Sequence, residues 1–143
     1  FSMANIVPQA PDNNRGPWEA LEQYCRNLTL SGKELYIVAG PLGVGGEGSA
    51  GAKQAIAHGK ITVPAALWKI IVVNPKPGLG LGGITENTRT IAVLMPNRQG
   101  IKDTDWRQFR TSIRDLERRT GYQFLSNVPQ PVQESLETQV DGI

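Results

Sequence analysis

Three runs in this 143-residue chain dictate a β-sheet: residues 34–40 (ELYIVAG), 67–73 (LWKIIVV) and 88–96 (TRTIAVLMP). Their β-branched and aromatic side chains crowd a helical turn but stand well on a pleated surface. Each is closed by Gly or Pro, and the last ends at Pro96. The stretches between them carry no amphipathic helix. Residues 41–59 read as a Gly-rich loop with one helical turn near Lys53–Ala57, residues 61–64 as a short strand, and residues 75–87 as a second long loop. Strands that follow each other through irregular loops build a largely antiparallel sheet, not a doubly wound one. The expected class is therefore mixed α/β (α+β), an antiparallel sheet flanked by helices.

Helices bracket these strands. Residues 1–9 read as a short strand stopping at Pro8, and residues 10–16 (APDNNRG) as turn chemistry. A helix should open at Pro17, capped by Asn14 or Gly16, because Trp18, Leu21, Cys25 and Leu28 form one apolar stripe. Ser31-Gly32 stops it. A short helix through DWRQF, a helix over 112–121 capped by Thr111 or Ser112, an extended 124–129 and a helix over 131–140 complete the order β-α-β-β-β-α-α.

Bulk properties exclude little. The chain is 39% hydrophobic and 20% charged, ordinary for one soluble domain or part of one. A formal net charge of +2 permits a polyanionic partner without requiring it. A single cysteine, Cys25, rules out an internal disulfide. No apolar run approaches the length of a membrane span, and the chain as given carries no signal peptide.

Chemistry concentrates in residues 1–28. If helical geometry reaches back to Asn14, then Asn14, Trp18 and Glu22 share a line at i, i+4 and i+8. Asn14 and Glu22 would then lie about 12 Å apart along the axis. That suits an amide oxygen touching a metal ion and a carboxylate acting on a metal-bound water. Arg26, one turn on, would pair with Glu22 or touch a phosphate. Spacing alone favours the plainer alternative, a helix cap plus a surface Glu–Arg pair.

Other constellations are weaker. Gly43, Gly45 and Gly48 spell G-x-G-x-x-G after a strand, but no amphipathic helix follows and no acidic residue lies between Glu47 and Glu86 to hold a ribose. His58, the sole histidine, has no carboxylate placed to orient it. Arg107, Arg110, Arg114, Arg118 and Arg119 are interrupted by Asp115 and Glu117, which reads as a salt-bridged solvated face. Cys25 and the three tryptophans read as core.

The opening N-I-V-P-Q-x-x-x-x-N-x-G-x-W-x-x-L-E, from Asn5 to Glu22, resembles that of the DNA/RNA non-specific endonucleases of the ββα-metal type. The likeness continues through KELYIVAG, WKIIVV, TRTIAVLMPN and TGYQFLSNVP, with the cyanobacterial sugar-non-specific nucleases most alike. It implies a ββα-metal nuclease fold and hydrolysis of DNA and RNA phosphodiesters. It implies Asn14 as the sole protein ligand of Mg²⁺ (or Mn²⁺, or another divalent cation) and Glu22 as the group orienting a metal-bound water. It implies Arg26 as a phosphate contact and Asn5 as support for the catalytic group. It also implies a general-base histidine in an Asp-Arg-Gly-His motif ahead of Asn5.

This sequence has no such motif, and His58 lies on the wrong side of Asn5 to replace it. Residues 1–143 are accordingly expected to be the C-terminal part of one nuclease domain, completed by an N-terminal fragment. Apolar surface should be exposed where that fragment belongs, and the strand at residues 1–7 should lack neighbours. The resemblance implies an extracellular or periplasmic location. A non-catalytic nucleic-acid-binding or interaction domain on the same scaffold is the alternative.

Overall fold

The computed structural model describes residues 9–48, 51–56 and 61–143. Asn5 and nearly all of the opening strand lie outside the described residues, as does His58. Two helices lead: α1 (Pro11–Asn14) and α2 (Pro17–Leu30). The strands are β1 (Glu34–Leu42), β2 (Gly46–Gly48), β3 (Gly51–Lys53), β4 (Ala55–Ile56), β5 (Ile61–Thr62), β6 (Ala66–Asn74), β7 (Arg89–Pro96) and β8 (Arg110–Thr111). Helices α3 (Ile113–Thr120) and α4 (Gln130–Glu137) follow.

The main sheet runs β1-β6-β7-β8, antiparallel throughout. The register pairs Glu34 with Asn74 through Leu42 with Ala66, and Ala66 with Pro96 through Val73 with Arg89. Alternation along β6 explains why its run is almost wholly apolar: both faces are covered. Leu67, Ile71 and Val73 pack with Ile91, Val93 and Met95 against Trp18, Leu21 and Cys25 of α2. Trp68 and Ile70 pack the other way, with Ala92, onto Ile113 and Leu116 of α3. Val72 meets Val128 and Leu136. Burying one such large apolar side chain stabilises by roughly 1.5–3 kcal/mol, so these three layers supply the driving force.

The described part of residues 41–59 departs from expectation. β1 runs on to Leu42, and in place of a loop with a helical turn there are two small ladders, β2 with β3 and β4 with β5. Distant backbone sets them: the Gly45 N–H donates to the Val63 carbonyl at 2.6 Å, and the Val63 N–H to the Gln54 carbonyl at 2.8 Å. Small residues here carry no local preference strong enough to oppose that pairing. The expected extended 124–129 also contains a turn, with Leu125 at φ 60° and the Val128 N–H bonded to its carbonyl.

Ends are fixed by local chemistry. The Ser112 hydroxyl accepts the Asp115 N–H at 3.1 Å to cap α3, and Gly121 at φ 76° stops it. The DWRQF helix is a single 3-10 turn, Trp106–Phe109, capped by Asp105. Arg89 grips Asp141 through two hydrogen bonds of 2.8 and 2.9 Å and donates to the Tyr24 hydroxyl at 2.8 Å, tying the tail to β7 and α2. Among the described residues β1 is paired on one side only, and it exposes Ile37 and Val38 to about half their full extent (48% and 50%).

Candidate metal and phosphate site

Asn14 ends α1, and α1 is held by residues just past β7. The Asn97 amide oxygen accepts the Ala10 N–H at 2.6 Å, while its nitrogen donates to the Pro64 carbonyl at 2.9 Å. The Asp12 N–H donates to Gln99 at 3.0 Å, and the Asp12 carboxylate accepts the Gly100 N–H at 2.7 Å. Asn13 is fully buried, with neither atom of its amide hydrogen-bonded. Asn14 is exposed, and among the described residues its side chain makes no hydrogen bond.

Gly16 separates the helices. Its φ and ψ, both −114°, leave the helical region, and a Cβ there would lie 2.5 Å from the carbonyl oxygens of both Asp12 and Lys102. Asn14 and Glu22 therefore do not share one continuous helix, and the axial spacing expected of them does not apply. The backbones of Asp12 and Lys102 together fill the space that a side chain at this position would need.

On α2, Trp18, Leu21 and Cys25 form the buried stripe and Glu22 flanks it, half-buried. The plainer reading of this stretch does not hold. The N-cap of α2 is Gly16 with no side-chain cap bond, and Arg26 binds Gln23 through two hydrogen bonds, of 3.2 and 2.9 Å, instead of pairing with Glu22. Glu22 has no hydrogen bond or ion pair among the described residues.

Glu22, Cys25 and Arg26 line a cleft of about 330 Å³ with Leu35 and Ile37 of β1. Lys69 of β6 joins them, and reading the sequence passed over it. Its signal was a single charge inside the apolar run LWKIIVV. Lys69 is 7% exposed, and its Nζ stands 4.3 Å from the centre of the Trp18 ring. Burial holds its pKa below the ordinary lysine value, and the Glu22 charge pushes it back up. Burial likewise raises the Cys25 thiol, as befits a core cysteine. The structure thus brings Glu22, Arg26 and Lys69 together, leaves Asn14 on its own docked turn, and does not describe Asn5.

The remaining constellations resolve as structure. The glycine motif is followed by strands, not the helix a pyrophosphate requires. Arg107 pairs with Asp105, Arg110 with Asp141, Arg114 with Glu137 and Arg119 with Asp115, at 3.0 to 4.0 Å. Among the described residues no three His, Cys, Asp or Glu side chains cluster as a metal cage.

This architecture is the ββα-metal nuclease fold. A chain in the crystal structure of the EndoG/EndoGI complex matches it with a TM-score of 0.66 at 24% identity, over 88% of this chain and 50% of that one. The family model for DNA/RNA non-specific endonucleases matches residues 1–131, and the chain belongs to that family. It is 52% identical to a nuclease of Nostoc sp. over 99% of this chain and 48% of the relative. It is 32% identical to a nuclease of Serratia marcescens over 95% of this chain and 47% of the relative. The chain thus spans about half the length of these relatives.

The family implies a divalent cation. The donor set present fits a hard one. Asn14 offers an exposed, uncommitted amide oxygen, and a cation that keeps most of its waters needs few protein ligands.

Proposed function

We propose that this chain supplies the metal-holding part of a Mg²⁺-dependent endonuclease that cleaves DNA and RNA without reading sequence, with Mn²⁺ able to substitute. The observation that carries this reading is that, among the described residues, the side chains of Asn14 and Glu22 make no hydrogen bond or ion pair, on helices docked against the segment after β7 and the sheet. A half-buried carboxylate that no hydrogen bond or ion pair satisfies is left able to bind water or ligand. Asn14 would hold the cation, which when bound supplies charge stabilisation at the scissile phosphate and the leaving 3′ oxygen. Glu22 accepts a hydrogen bond from water and fixes its orientation. Arg26 exchanges Gln23 for a phosphate oxygen. Asn5 supports the catalytic group. Chemistry aimed at phosphate touches no base edge, which accounts for the loose specificity.

The proton of the attacking water goes to a histidine of an Asp-Arg-Gly-His motif, which residues 1–143 do not include. Export to the periplasm or the medium belongs to the same proposal; among the described residues no helix is long and apolar enough to cross a membrane. A protein inhibitor is a further partner in this reading, since the matched EndoG chain was solved in complex with EndoGI.

The test is cleavage of plasmid DNA and RNA in Mg²⁺ by this chain, with and without an N-terminal fragment carrying the motif. The pair should cleave, and Asn14→Ala should abolish both cleavage and Mn²⁺ binding by calorimetry. A pair that binds nucleic acid but never cleaves it, with Asn14→Ala changing no binding, means a non-catalytic module instead.

A further inference from the structure

We propose that Lys69 is a positioning residue for Glu22: its ammonium, clamped beneath Trp18, is the fixed counter-charge that holds the Glu22 carboxylate turned into the cleft. The inference rests on the nuclease reading for what Glu22 then does.

Register puts Lys69 where apolar packing would otherwise put an aliphatic residue. On β6 it lies between Leu67 and Ile71, both turned to α2, and it pairs with Ala39 of β1 and Val93 of β7. Desolvating an ammonium costs several kcal/mol unless something answers its charge. Lys69 has no hydrogen bond or ion pair among the described residues, only the Trp18 ring face. The titratable and charged groups facing it are Glu22, Cys25 and Arg26, all on α2; β1 presents Leu35 and Ile37. Of these, Glu22 is the one carboxylate. Trp18 and Glu22 are four residues apart on one face of α2. The ring that fixes the ammonium is therefore set one turn from the carboxylate it serves. A strand-borne cation is rigid in a way that a surface arginine such as Arg26 is not.

The test is a double-mutant cycle of Lys69→Met and Glu22→Gln, with Lys69→Gln as a second neutral variant should Lys69→Met not fold. It is read twice. In urea unfolding of the chain itself, Glu22→Gln should shift the midpoint less on the Lys69→Met background than on the wild type. In the reconstituted nuclease, Lys69→Met should lower kcat about ten- to hundredfold with KM unchanged, Lys69→Arg should restore most of it, and adding Lys69→Met to Glu22→Gln should cost nothing further. Additive effects in the unfolding cycle overturn the proposal. So does a loss from Lys69→Met that appears in KM with a shallower salt dependence, because Lys69 would then be touching phosphate directly. If the wild-type pair does not cleave, the nuclease reading fails while the unfolding cycle still decides this one.

Discussion

Asn97→Ala removes the hydrogen bond from the Ala10 N–H that helps seat α1 and the bond to Pro64 that fixes Asn97 itself, and its effect follows from the geometry. The Ala10 N–H, 2.6 Å from the Asn97 oxygen, and the Pro64 carbonyl, 2.9 Å from its nitrogen, are groups of buried residues. Each buried group left unpaired costs about 1–3 kcal/mol, so together the loss is about 2–5 kcal/mol, before any small cavity is counted. Asn97→Asp keeps the acceptor for Ala10 but loses the donor to Pro64 and buries a charge against a carbonyl, so it should be no milder. Urea unfolding at constant m-value reads the loss. Because α1 carries Asn14, Mn²⁺ affinity should fall with it, about ten- to hundredfold. A loss under about 1 kcal/mol in Asn97→Ala, or a full loss of stability with unchanged Mn²⁺ affinity, refutes the claim that these two bonds position Asn14, the proposed metal ligand.

Three further outcomes are expected. Gly16→Ala places a Cβ against two backbone carbonyls and should destabilise by about 1–3 kcal/mol in thermal melts; an unshifted melt would mean that residues near Lys102 give way freely. Asp141→Asn breaks the grip on Arg89 and should cost about 3 kcal/mol in chemical denaturation, with greater susceptibility of the last residues to carboxypeptidase. The Glu137 carboxyl is held above its ordinary range by burial and by the Glu117 carboxylate, so the folded chain keeps a proton that the unfolded chain gives up. Stability from this group is complete below the ordinary glutamate range and declines as pH rises through the raised value. Glu137→Gln should flatten that decline in unfolding midpoints taken from about pH 4 to about pH 7; parallel curves would count against it.

What the sequence disclosed and what it hid divide by range. The stripe Trp18–Leu21–Cys25 and the runs of β6 and β7 announce themselves because their own side chains favour the conformation they adopt. The strand near residues 61–64 was legible too, but β2 and β3 were not, because Gly46, Gly48, Gly51 and Ala52 leave the decision to carbonyls such as Val63 far along the chain. The helix start at Pro17 was legible, because a proline disfavours helical geometry at the residue before it, but the close approach of the Lys102 backbone to Gly16 was not, since it comes from far along the chain. At the site, spacing alone favoured a surface Glu22–Arg26 pair, whereas the Arg26 guanidinium donates to Gln23 instead, a competition between two neighbouring acceptors that spacing does not resolve. Lys69 was visible as an anomaly but gained meaning only when the register turned it toward α2.

The half-paired β1 carries a last implication, for assembly. Among the described residues its outer flank offers N–H and C=O groups at strand pitch, with Ile37 and Val38 as apolar cover, so any second strand of matching pitch can pair there without a side-chain-by-side-chain fit. Such a seam is tolerant of what closes it. The same tolerance makes two copies of this chain competitors for one another's open flank, so concentration should govern which pairing wins.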